Sequence, residues 1–597
     1  MRKTMKKPAA LALSTLFAIS LAACGGASGD KSSSDTKSAV GNIEVSTLMA
    51  GNNEVLVCYP TPNAEDNGDI CYATTAPVFV VFGDGTYDEE SASEYAITSG
   101  LADIASENGS SICFVNPQQD GAWSGFDSKA YQNVVDLISD SSSDEHTNGV
   151  TKSVDYMTQA ESQAITGSSA RIYVYGIDSG ADYVAENVMK PVKTSITFPD
   201  GFTLETDSTA TAITVSGLSD ASKVEDNDIP VVSIGNSDDV NKVLKEKCGS
   251  VTVEDKADYV SEYADVVGNW RRQVGILVPV YNWEKNGITE SIETYTVNTS
   301  ADNVTFAGQA THDIGYVAYY DENLDVENGN VPLVLCFHGG GGTALHEAQW
   351  TSWPIIGKEN GFMTVSVDLH FPNCTATEIV DLINHLEEEY SIDSSRIYAS
   401  GFSMGGCKSW DLFEQYPSVF AGLAPMDASF EPTHDSFDNP VANPNSDVLV
   451  PLFYVGGETS PLAELPMQSE TLVNRLAYVF GVNALNKQYN VSFADMASWE
   501  NPVWGINGDM SYTVTDKETF KDSVLTVNLF ASADGKYYTA FANSSNQSHE
   551  IYPRNSKAAW DFLSQFSRGA DGNIVINDVT YDYPSDDGIV VDNSYNK

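Results

Sequence analysis

Three short apolar runs recur in pairs along this chain. APVFVVFGDG at 76–85 aligns with VPLVLCFHGG at 331–340, RIYVYGIDSG at 171–180 with RIYASGFSMG at 396–405, and IPVVSIG at 229–235 with VPLFYVG at 450–456. Each run holds a short, mostly apolar stretch with β-branched residues, and each ends in glycine. That is the pattern of a strand buried on both faces of a parallel sheet, its C-terminal end opening into a turn. The distance from Arg171 to Pro230 nearly matches that from Arg396 to Pro451. The first and second runs lie farther apart in the first set, where an acidic, Ser-rich stretch around 139–145 absorbs the difference. Two copies of one α/β domain, each a mostly parallel sheet flanked by helices, account for the pattern.

Other segments fill in each copy. Residues 288–297 and 304–320 alternate apolar and polar positions between Asn, Asp and Gly, which predicts β-structure ahead of the second set. Residues 525–542 read as a hairpin, and 559–568 as a terminal helix with Trp and Phe on one face. The boundary falls at 270–285, giving domains at 46–275 and 276–597.

Composition narrows the classes. A chain of 597 residues exceeds the size at which single cores stop growing, about 250–300 residues. At 42% hydrophobic and 10% aromatic it buries cores, which excludes a disordered acidic chain. Lys+Arg 31 against Asp+Glu 83 leaves a formal net charge of −52, so nothing basic is available to neutralise phosphates and nucleic acid is excluded as a partner. The start differs from the rest. Arg2, Lys3, Lys6 and Lys7 precede an apolar stretch at 11–21, and Leu21-Ala22-Ala23-Cys24 resembles a bacterial lipoprotein processing site. The resemblance implies a leader at 1–23, lipidation of Cys24, a flexible linker at 24–45, and attachment to the extracellular face of the cell membrane. Of the remaining cysteines, Cys58 and Cys71 flank a Pro/Asn/Asp/Gly-rich loop that could close as a disulfide hairpin. Cys113, Cys248, Cys336, Cys374 and Cys407 match no metal spacing and read as buried thiols.

The second copy carries candidate chemistry. Gly401-Phe402-Ser403-Met404-Gly405 lies between a predicted strand and a predicted helix through Trp410, Leu412 and Phe413. Glycines around a serine on so tight a turn lift its hydroxyl above the sheet, the G-x-S-x-G nucleophile elbow. Upstream, His338-Gly339-Gly340-Gly341-Gly342 follows a strand directly. Bare backbone there lets N–H groups approach a developing oxyanion, and the hole is assigned to Met404 with Gly339 or Gly340. His338 precedes the serine and is read as holding the loop. The fold order serine, acid, histidine requires a late base. Only His434 and His549 follow Ser403, and His549, in a polar loop before the terminal helix, is the candidate. For the acid, Glu458 at the end of the third run ranks first, then Asp427, then Glu464.

The stretch from Ser395 to Pro425, with the His-Gly loop, the late histidine and the Trp560-Asp561-Phe562 ending, resembles the polyhydroxybutyrate depolymerase/feruloyl esterase group (carbohydrate esterase family one-like) of α/β-hydrolases over most of 330–568. The resemblance implies a secreted serine esterase without a cofactor, acting on a polyester or on acyl decorations of plant polysaccharide. Carried over, Ser403 is the nucleophile, His549 the base and Glu458 the acid. Relatives more often have Asp in a Gly-x-x-Asp turn, an offset that Thr459 occupies here. Related peptidases share the elbow, so peptide cleavage stays open. A non-catalytic, glycan-binding surface lipoprotein is the competing class.

The first copy reads as degenerate. Aspartate replaces serine at its elbow, Gly176-Ile177-Asp178-Ser179-Gly180. An elbow aspartate serves as nucleophile in haloalkane dehalogenases, yet it still needs a histidine to activate water. Residues 1–270 contain only His146, ahead of the elbow. The glycine loop has shrunk to Gly83-Asp84-Gly85, which puts negative charge where an anion should be stabilised.

Overall fold

The computed structural model describes residues 43–60, 75–119, 121–139, 165, 167–197, 203–340, 342–368, 370, 373–428, 445–462, 464–577, 582–584 and 588–592. The leader, Cys24, most of the linker, Cys71, His146, Gly341 and His434 lie outside the described residues. The chain divides into two compact units between Tyr281 and Asn282.

In the first unit, β1 (Ile43–Ala50) and β2 (Asn53–Pro60) form an antiparallel pair. β3 (Val78–Phe82), β4 (Ser111–Val115), β5 (Ile172–Ile177), β6 (Ala212–Ser216), β7 (Pro230–Ile234) and β8 (Ser250–Glu254) follow. They join in the order β1-β2-β4-β3-β5-β6-β7-β8, with every pair from β4 to β8 parallel. β3 is buried at all five positions. Val78, Val80 and Phe82 pack into one apolar cluster and Phe79 and Val81 into another, because successive side chains leave a strand on opposite faces. An uninterrupted apolar run is what a sheet covered on both faces demands.

The second unit repeats the order. β9 (Ile288–Asn298) and β10 (Thr311–Asp321) are antiparallel; β11 (Val331–Phe337), β12 (Met363–Val367), β13 (Ile392–Phe402), β14 (Gly422–Met426) and β15 (Leu452–Gly457) continue the sheet. β16 (Met510–Asp516), β17 (Val524–Ala531), β18 (Tyr537–Ser544) and β19 (Ile589–Val591) complete it. The order is β9-β10-β12-β11-β13-β14-β15-β18-β17-β16-β19, and β12 through β18 pair in parallel. Both units are α/β-hydrolase folds, with crossovers that bring each elbow to the C-terminal edge of its sheet.

Three sequence expectations move. The alternation at 304–310 is turn rather than strand: Val304 is 82% exposed, and β10 starts only at Thr311. The terminal helix runs over Pro553–Leu563, earlier than expected, with Pro553 supplying a fixed φ in the first turn. Phe566–Arg568, assigned to that helix, is a short strand paired with Ile574–Ile576. Cys113, Cys336 and Cys407 are buried free thiols, Cys374 is buried and Cys248 is half-buried; Cys58 is buried within β2.

Candidate active site

Each unit makes its elbow where the fifth strand of its core meets a helix. Ser403 sits between β13 and α2 (Met404–Gln415) at φ 55°, ψ −112°. Asp178 sits between β5 and α1 (Ser179–Asn187) at φ 48°, ψ −114°. Such positive φ is strained for a side-chain-bearing residue and persists only where the surroundings enforce it. The enforcement is the same in both units. A Cβ on Gly405 would lie 1.9 Å from the Phe337 carbonyl oxygen, and one on Gly180 1.9 Å from that of Phe82. The amide of Ser403 donates to the Met426 carbonyl at 3.0 Å, and that of Asp178 to Ser216 at 2.9 Å.

In the second unit the elbow meets its partners. Ser403 is 7% exposed, and its Oγ lies 2.8 Å from His549 Nε2. His549 Nδ1 is hydrogen-bonded to Glu464 Oε1, and the imidazole packs on Phe402 with ring centroids 4.8 Å apart. Burial pushes His549 below the ordinary histidine range, towards the neutral imidazole that a base must be. Glu464 is fully buried, and its carbonyl accepts the Tyr454 hydroxyl at 2.7 Å, which ties the loop after β15 inward.

The acid ranked first in the sequence occupies another place. Glu458 Oε1 accepts from Asn543 Nδ2 at 2.6 Å, and the Glu458 amide donates to Ser544, extending the β15–β18 pairing by one residue. Strand alternation therefore turns its side chain towards Asn543 rather than towards His549. Asp427 stands close by. One atom each of Asp427, Glu464 and His549 lies within 4.8 Å of the others, the only such carboxylate and imidazole group among the described residues. Those atoms are already engaged: Nδ1 with Glu464, and Asp427 with N–H donors from Gly457, Gln547 and Glu550.

The glycine loop lies against the elbow. A Cβ on Gly339 would fall 2.8 Å from Phe402 Cδ1 and 3.4 Å from Ser403 Cβ, and one on Gly340 2.7 Å from Met404 Sδ. Met404 opens α2, so its N–H has no partner within the helix. His338 Nδ1 donates to the Gly339 carbonyl at 2.7 Å, and Nε2 is 3.6 Å from Asp368 Oδ1. His370, absent from the sequence reading, donates from Nε2 to the His338 carbonyl at 2.9 Å. No local pattern announces it. Glu464 had a fainter signal: Ala463 and Leu465 flank it, and apolar flanks suit a loop folded inward.

The first unit has a different inventory. Ser179 Oγ donates to Asp84 Oδ1 at 2.7 Å, so the shrunken glycine loop is tied to the elbow by a carboxylate. Among the described residues of this unit there is no histidine.

No family model matches the chain. It is 31% identical over 137 residues to Feruloyl esterase B of Thermothelomyces thermophilus, covering 20% of this chain and 46% of that protein. It is 29% identical over 116 residues to Poly(3-hydroxyalkanoate) depolymerase C of Paucimonas lemoignei, covering 16% and 28%. The chain thus spans less than half the length of these curated relatives. Among solved structures, the acetyl xylan esterase from Aspergillus awamori is 10% identical, with a TM-score of 0.30 over 46% of this chain and 99% of that one. In sequence, then, the chain is similar to a feruloyl esterase and a polyester depolymerase, and its strand order is that of an α/β-hydrolase fold.

Proposed function

We propose that the second unit is a serine carboxylic-ester hydrolase in which Ser403 is the nucleophile, His549 the base and Glu464 the triad acid. The 2.8 Å approach of Ser403 Oγ to His549 Nε2 carries the reading. Oγ attacks the ester carbonyl carbon while Nε2 takes its proton. The oxyanion accepts N–H groups from Met404 and from Gly339 or Gly340. Collapse breaks the ester C–O bond, and the imidazolium returns the proton to the departing alkoxide. Water then loses a proton to His549 and attacks the acyl-serine, releasing a carboxylic acid and restoring the hydroxyl. Glu464 keeps the proton on Nδ1 and stabilises the imidazolium throughout.

The substrate is an acyl ester of plant polysaccharide or a polyester, supported by the names of the similar proteins. The working place is the extracellular face of the cell membrane, anchored through Cys24. The first unit is non-catalytic. Release of p-nitrophenol from p-nitrophenyl acetate by wild type and its loss in Ser403→Ala test the chemistry; equal rates refute it. A panel of acetyl-xylan, feruloylated oligosaccharide, polyester and peptide tests the substrate, and hydrolysis of the peptide alone refutes the esterase assignment. Loss of the protein from the membrane fraction in Cys24→Ala tests the anchor.

A further inference from the structure

Asp427 directly follows β14 and holds φ 45°, in the region that favours glycine. In the first unit the corresponding position, directly after β6, is Gly217 at φ 70°. The correspondence is structural, since the preceding carbonyls, Met426 and Ser216, each accept the elbow amide. The first unit thus uses the residue that fits the turn without strain, whereas the second keeps a buried aspartate there, 1% exposed.

Its carboxylate joins three parts of the site. Oδ1 accepts the Gly457 amide at 2.9 Å, at the end of β15 and at the root of the loop bearing Glu464. Oδ2 accepts the Glu550 amide at 3.3 Å and Gln547 Nε2 at 3.4 Å. Gln547 and Glu550 bracket His549. Gln547 is itself fixed, donating to the Glu550 carbonyl at 2.8 Å and accepting from Asn555 Nδ2 at 3.2 Å. No hydrogen bond among the described residues joins Asp427 to His549 or Glu464.

We propose that Asp427 is a positioning residue that clamps the His549 loop to the end of β15 and so holds the imidazole between Ser403 and Glu464. The inference rests on the esterase reading above. A base displaced by about 1 Å loses about a hundredfold in rate while ground-state binding of the ester is untouched. Asp427→Gly removes the carboxylate and relieves the strained φ, so the turn itself is kept. For this variant, kcat on p-nitrophenyl acetate falls by about tenfold to a hundredfold with KM within about twofold. The rate at which a fluorophosphonate probe labels Ser403 falls in parallel, because that step also needs the base. Asp427→Asn, which retains one acceptor oxygen for Gly457, lies between wild type and Asp427→Gly. Wild-type kcat and labelling rate in Asp427→Gly overturn the proposal; should that variant not fold, wild-type values in Asp427→Asn do so. Ser403→Ala run alongside separates the two readings, since hydrolysis persisting there defeats the esterase assignment and not the clamp.

Discussion

The two elbows share a backbone and differ in what surrounds it. Asp178 and Ser403 agree within 7° in φ and 2° in ψ, and the glycine two positions on is pressed against a strand carbonyl at the same 1.9 Å in both. The strained turn is therefore a property of the fold, made wherever this strand-to-helix crossover is made. Chemistry needs more: a histidine loop, a buried acid and an anion-binding loop free of negative charge. The second unit places His549, Glu464 and the Gly339–Gly340 loop around Ser403, whereas the first has Asp84 on its loop and no histidine among its described residues. The strained backbone is thus common to both units, and the side chains around it are what differ.

The largest test of that contrast is removal of the reacting groups. Ser403→Ala or His549→Ala lowers kcat by about 10^6-fold, the scale at which a triad fails as a unit; turnover that survives in either would return activity to the first unit. Glu464→Gln comes next, with a loss of about 10^4-fold, whereas Glu458→Gln stays within about threefold. A reversal of that order in steady-state kinetics would reinstate the acid expected from sequence. The matched pair Gly405→Ala and Gly180→Ala sharpens the comparison further. Each overpacks its elbow and costs about 1–3 kcal/mol of stability, read as a lower Tm; only Gly405→Ala also loses esterase activity in protein that remains folded.

pH supplies a smaller effect. His549 must be neutral to accept a proton, and burial lowers its affinity for one. A lowered value means the neutral base persists as pH falls through the ordinary histidine range, so kcat holds to below pH about 6.5 before declining. A decline centred above that value would show that the charge of Glu464 outweighs burial. The smallest expected effect is the most direct for the first unit: Asp178→Ala changes turnover by less than about twofold, the ordinary spread for a surface change.

Much of this was legible in the residues. The six apolar runs located the buried parallel strands because a strand covered on both faces has no polar side to alternate with. The elbow and glycine loop were legible because they are local: a few consecutive residues meet a steric demand that only glycine satisfies. The last helix and the turn at 304–310 depart from the pattern at their edges, where tertiary burial sets the ends.

By itself the sequence determined the paired domains and singled out the serine and, through chain order and the scarcity of histidine, the late histidine as candidates. Only the tertiary structure brings Glu464, rather than Glu458, to His549. Glu458 and Glu464 are six residues apart, and the local pattern ranks Glu458, at the end of the strand, first. The choice follows from extension of the β15–β18 pairing, which aims Glu458 at Asn543, and from the Tyr454 hydroxyl, which draws the returning loop inward and brings Glu464 to His549. The first joins segments distant in sequence, and the second closes a short loop whose course is set by the packing around it. A local pattern records what a residue is and what stands beside it; which side chain meets an imidazole 85 positions away is set by how the chain between them packs.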